Sequence, residues 1–207
     1  MALFLAGFAF LLFPVLRPWF DESTEAGAIA AFGAAAWITS HLLGALGFIL
    51  VPLGLLAINR LLARRSAGRP LDAAVVLTWL GAGLLLPYYG AETFALNAIA
   101  TSARAGADLD VLALSDAVRN GAAALTTFGL GLLAVAVGAI AAAIAISRSG
   151  VLPRYAGVLM AVGLALYLPQ FFGPPWLRIA HGALLAVGLF ILAGALWGAA
   201  RDRRPAA

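Results

Sequence analysis

From Ala26 to Asn59 the chain carries no Asp, Glu, Lys or Arg, and from Asn120 to Ser147 it again carries none. Each run exceeds the roughly 18 residues that mark a bilayer-crossing helix. Composition agrees: 64% of the 207 residues are hydrophobic and 11% charged, with mean hydropathy +1.02, whereas a soluble domain is about 25% charged. The chain therefore reads as all-α: a polytopic membrane helix bundle forming a single transmembrane domain over residues 1–207.

Absent residue types narrow the chemistry. Cys is missing, which removes disulfides, thiolate nucleophiles and Cys-ligated clusters. Lys is missing too, so all 13 basic residues are Arg and a Schiff-base mechanism is excluded. The pI near 10.3 reflects Arg placement around membrane spans and points to no nucleic acid.

Hydropathy predicts six spans, at about 2–17, 30–58, 72–95, 122–147, 153–172 and 177–200. A cleaved signal peptide fits 1–17 poorly, because a basic n-region is lacking and Arg17-Pro18-Trp19-Phe20 is a poor cleavage context. Nine Arg flank one side (60, 64, 65, 69, 148, 154, 201, 203, 204) and four the other (17, 104, 119, 178), mixed with acids. The Arg-rich side should be cytoplasmic, with both termini inside, in a bacterial cytoplasmic (inner) membrane. Gly27–Ala36 exceed what the second span needs and should project outward or belong to a tilted helix. Residues 107–119 read as a short outer interfacial helix, started by Asp108 and ended at Asn120-Gly121, with Val111, Leu114 and Val118 on one face. It would be a connector or a lid. Residues 201–207 read as a disordered basic tail. Trp19, Phe20 and Trp176 outside, and Tyr155 and Trp197 inside, suit interface anchors. Stripes at Ala36–Ser40–Gly44 and Ala134–Gly138–Ala142 suit close packing.

The third and fifth spans match at a constant offset: Val76 with Val158, Leu77 with Leu159, Gly81 with Gly163, Leu84 with Leu166, Leu86 with Leu168, Pro87 with Pro169. Aromatics follow each proline, Tyr88-Tyr89 and Phe171-Phe172. A parallel two-helix repeat would explain this. Pro87 and Pro169 should kink their helices at one depth and open a cavity beside them.

Measured from the inner charged boundary, the intramembrane polar residues gather at one level. His41 counted from Arg60, Glu92 from Asp72 and His181 from Arg201 each lie about 20 residues up, at 1.5 Å rise per residue. Thr127 and Gln170 lie near them, and Trp37, Tyr88, Tyr89 and Arg178 are one turn or less from a layer member. Ionisable groups at membrane depth are costly and usually pair or mark function. Four readings follow. One is a structural network with Glu92 paired to Arg178. The second is an acid/base site of Glu92, His41 and His181 acting on a lipophilic or amphipathic small molecule, with Trp37, Tyr88, Tyr89, Thr127, Gln170 and Arg178 as binding residues. The third is a metal site, zinc or non-haem iron on His41, Glu92 and His181. The fourth is haem b held by His41 and His181 for electron transfer. A purely structural membrane subunit is the main rival to a binder or enzyme.

The phrases Ser40-His41-Leu42-Leu43-Gly44, Leu86-Pro87-Tyr88-Tyr89-Gly90 and Tyr167-Leu168-Pro169-Gln170-Phe171, within longer similar stretches, resemble those of uncharacterised multi-span membrane proteins of high-GC, actinobacterial-type bacteria. The likeness covers most of residues 36–200. It implies a multi-span membrane fold and no particular activity. The intramembrane histidine pattern of ceramidase-like hydrolases is lacking, so their site is not carried over.

Overall fold

A computed structural model describes residues 1–62 and 68–202; Arg64 and Arg65 of the expected inner loop, and 203–207 of the expected tail, lie outside the described residues. The described residues are helical, with no strand among them. In chain order they form α1 (Ala2–Leu16), α2 (Glu25–Phe32), α3 (Ala35–Leu62), α4 (Gly68–Gly90), α5 (Leu96–Arg104), α6 (Val111–Asn120), α7 (Ala122–Arg148), α8 (Val158–Ala165) and α9 (Pro175–Arg201). A π-turn, Ala91–Ala95, joins α4 to α5, and a 3₁₀ turn, Pro169–Phe172, follows α8. Among the described residues four helical stretches are long and apolar enough to cross a membrane: Ala35–Leu62, Pro70–Arg104, Ala122–Arg148 and Pro175–Arg201. The other two expected spans are shorter. The 15 residues of α1 reach about 22 Å at 1.5 Å per residue, and α8 has only 8 residues.

Local chemistry sets these boundaries. The second apolar stretch breaks in two, because Gly33 ends α2 and the chain re-enters a helix at Ala35. Thr24 caps α2, its side chain accepting from the Gly27 N–H at 3.2 Å. Arg104 closes the other end, donating to the carbonyls of Ile29 and Gly33 at 2.9 Å; a guanidinium there satisfies orphan carbonyls and complements the dipole. A Cβ on Gly33 would sit 2.5 Å from that guanidinium. The residues expected to project outward are thus a separate, anchored helix. Asp110, and not Asp108, caps α6, accepting from the Ala113 N–H at 2.9 Å. Val111 and Ser115 are its buried residues, while Leu114 is exposed.

The prolines act differently. Pro87 stays inside α4, and the helix then widens into the π-turn four residues on. Pro169 lies beyond the end of α8 and begins the 3₁₀ turn. The matched segments thus diverge: 76–87 is continuous helix, whereas α8 stops at Ala165.

Six helices close a ring in which each packs on the next: α1 on α3, α3 on α4, α4 on α7, α7 on α8, α8 on α9, and α9 back on α1. Glycines bring backbones close. A Cβ on Gly81 would meet the Gly131 carbonyl at 2.7 Å, and one on Gly138 the Ala74 carbonyl at 3.0 Å. On α3 the approach to α1 uses Gly44, Gly47 and Gly54 against Phe13, Phe10 and Leu3; Ala36, assigned to that stripe, is exposed. The outward faces are apolar, with Leu130, Leu133, Val137, Ile140 and Ile144 exposed along α7 and Leu42, Leu46, Ile49 and Leu53 along α3. A second, smaller core of Ala28, Ala31, Phe32, Trp37, Leu96, Ala100 and Val111 joins α2, α5 and α6 to the start of α3. These helices form a cap on one end of the ring.

Candidate functional site

At the end of the ring beside α6 lies a cavity of about 610 Å³. All six ring helices or their ends reach it, as does Arg119 from α6. Its floor is an aromatic plug. Tyr89 and Tyr167 share a hydrogen bond at 3.0 Å between hydroxyls, and Phe48 packs edge-on against Tyr167, Tyr89 and Phe10. One wall is aromatic and aliphatic, with Phe128 stacked on Tyr88 at 4.1 Å between ring centroids.

A chain of charges makes up another part of the lining, and Glu92 in it is a neighbour of Tyr88. Arg17, one residue beyond α1, donates to Glu22 at 2.7 Å. Glu22 also meets the Arg119 Nη1 at 2.9 Å. Arg119 turns its Nε and Nη2 to the two carboxylate oxygens of Glu92, at 2.8 and 3.1 Å. This bidentate geometry is the strongest form of the pair. Burial works against the charge on Arg119, but Glu92 and Glu22 beside it hold the guanidinium above its ordinary value. The guanidinium also lies over the rings of Phe32 and Trp37, at 4.8 and 5.7 Å.

Glu92 is aimed by the π-turn. The inserted residue changes the helical register, and Glu92 and Thr93 are both buried there; π-turns of this kind are frequent at functional sites. The Trp37 indole N–H donates to the Glu92 carbonyl at 2.7 Å and thereby supports a backbone that departs from the α pattern.

His41 donates from Nδ1 to the Trp37 carbonyl at 2.8 Å, because a carbonyl only accepts. Its Nε2 stands 3.8 Å from Glu92 Oε2, beyond the 2.6–3.2 Å of a catalytic hydrogen bond. His181 spends its Nε2 on the Gly163 carbonyl at 2.7 Å. That carbonyl is free because the chain tightens as α8 ends, with Tyr167 N–H turning to Leu164.

Both histidines and Glu92 line the cavity, as do Tyr88, Tyr89, Gln170 and Arg178. Trp37 and Thr127 do not. Trp37 is wholly buried behind His41, and the Thr127 hydroxyl bonds back to the Ala123 carbonyl on its own helix. Three expectations are corrected. Glu92 pairs with Arg119 and not with Arg178, whose Nη2 donates to the Phe171 carbonyl at 2.9 Å. The metal set His41, Glu92 and His181 is not assembled: among the described residues no three His, Asp or Glu side chains gather closely enough to hold a metal ion. The bis-histidine haem b arrangement is not met either, since His181 has committed its Nε2, and the aromatic path between the histidines runs through the bonded Tyr89 and Tyr167.

Arg17, Glu22, Arg119, Tyr167 and Trp19 are site residues that the span-and-depth argument passed over. Their signal was position: Arg17 follows the end of α1 and Arg119 stands just before the start of α7, each at the border of an apolar run. Trp19 lies against Arg17 and Arg178, whose guanidinium carbons are 4.6 and 5.5 Å from its ring, and donates to the Pro14 carbonyl at 3.0 Å. No protein-family model, curated protein or solved structure matches the chain.

Proposed function

We propose that this chain is a multi-pass membrane protein whose cavity binds, and through His41 transforms, a lipophilic or amphipathic small molecule. One observation carries the reading. A cavity of about 610 Å³, inside the ~300–1,000 Å³ range of ligand sites, joins an aromatic floor to a wall of Arg and Glu. Such a two-faced lining suits a molecule with a polar head and an apolar body. His41 Nε2 faces that cavity with no hydrogen-bond partner within reach, and its other nitrogen is held by Trp37, an orienting bond that a general base requires. Glu92 stands beside it, its nearer oxygen 3.8 Å from Nε2.

The structural reading keeps one specific support. Both Glu92 oxygens are taken by Arg119, and that pair ties the cap to the ring. For Glu92 the two roles coexist; for the cavity itself they do not.

The proposed topology is six crossings in a bacterial inner membrane with both termini cytoplasmic. In support, the six ring helices meet in chain order, as consecutive crossings would, and α1 shows exposed Phe4, Leu5 and Phe8 on one face with Leu3, Ala6 and Phe10 buried on the other.

The test is retention. Protein purified in mild detergent is extracted with organic solvent and the extract examined by mass spectrometry, alongside Leu125→Trp and Leu168→Trp, which place bulk at the exposed rim of the cavity. A molecule held by the wild type and lost from both variants is the expected result. Equal retention by all three, or none by any, overturns the reading.

A further inference from the structure

We infer that the occupant of the cavity carries an anionic head group, received by Arg178 with Arg17 beside it; the inference rests on the ligand-binding reading above and gives that ligand a sign and a pose. Three cations, Arg17, Arg119 and Arg178, line the cavity against two carboxylates, Glu22 and Glu92, so the wall holds one positive charge in excess. The excess is localised. Arg119 is saturated, with three nitrogens on two carboxylates, and Arg17 has Glu22. Among the described residues Arg178 has no salt-bridged acid: its Nη2 meets the Phe171 carbonyl, and its Nε is buried without a hydrogen bond. A buried donor left unmade is costly, and more so on a charged group.

Placement compounds the cost. Arg178 lies in the first turn of α9, where no acidic residue stands and where the helix macrodipole is itself positive. Two like charges meet at one point of a lined cavity, and a bound anion resolves both. A carboxylate or phosphate oxygen there would accept from Nη1, which carries no hydrogen bond and, unlike Nε, is not closed off by the protein, and would lie in the guanidinium plane. The Trp19 ring lies against both guanidiniums, and the apolar part of the ligand would run along Phe128 and Leu125, which also line the cavity.

Wild-type protein in nanodiscs of zwitterionic lipid is assayed for tritiated oleate by scintillation proximity, with competition by monooleoyl lysophosphatidate and by methyl oleate, which has the same chain and no charge. Oleate or the lysophosphatidate should compete at least about tenfold better than methyl oleate, with the preferred anion separating a carboxylate from a phosphate head. R178Q should lose about tenfold in affinity for that anion while its melting temperature stays near wild type, and R178K should recover part of the loss. Methyl oleate competing as well as the anions overturns the sign of the ligand and leaves the binding reading standing. Absence of binding by all three probes overturns this inference, and the retention experiment then decides separately whether the cavity binds anything. If R178Q does not fold, the wild-type comparison of anion with ester alone decides.

Discussion

Replacing Glu92 with glutamine leaves the volume of the side chain and removes its charge. Arg119 then loses one of two carboxylate partners. Breaking a buried ion pair from one side costs about 3–5 kcal/mol, but Arg119 keeps Glu22 at 2.9 Å and its side chain is 21% exposed. The glutamine oxygen can also still accept one of the two N–H groups. The expected loss for E92Q is therefore about 2–3 kcal/mol. R119M should lose a comparable amount, since it strands Glu92, while Glu22 keeps Arg17 at 2.7 Å. The double variant E92Q/R119M should lose clearly less than the two combined, with a coupling of about 2 kcal/mol, because neither charge is left buried alone. Equilibrium unfolding in mixed micelles, read by tryptophan fluorescence, measures all four states. Losses that simply add within about 0.5 kcal/mol would refute the claim that this pair couples the cap to the ring.

Three further outcomes are expected. W37F removes the 2.7 Å indole bond to the Glu92 carbonyl and should cost about 1–2 kcal/mol by the same unfolding assay. G81A should destabilise by about 1–3 kcal/mol, because its Cβ would meet α7 backbone at 2.7–2.8 Å; G83A, with nothing within 4 Å, should be neutral or slightly stabilising. Because the chain has no cysteine, single cysteines label uniquely: Ala107→Cys and Tyr155→Cys, both at exposed positions, should react with an impermeant maleimide from opposite faces of the membrane, and reaction from the same face would refute the six-crossing topology.

Apolar run length needs no partner to be legible, and it alone specified that the chain is helical and that 122–147 and 177–200 are long helices, since a helix satisfies its own backbone in a bilayer. Sequence depth likewise picked out His41, Glu92 and His181, because rise per residue is nearly constant. Depth says nothing of rotation about a helix axis or of which loop folds back over the bundle, and those two unknowns are where the expectations failed. Arg119 belongs to a short helix whose place depends on Asp110 capping, on the Val111 contact with Phe32 and Leu96 in the cap core, and on Arg104 holding α2. These are contacts between segments far apart in the chain. Only when they form does a guanidinium read as an outer-loop charge reach Glu92, and only then is Arg178 left without an acid. The partner of each buried charge is a property of the packed cap and ring, because a side chain's pairing is chosen among all groups brought within about 4 Å, and local spacing lists only those on its own helix.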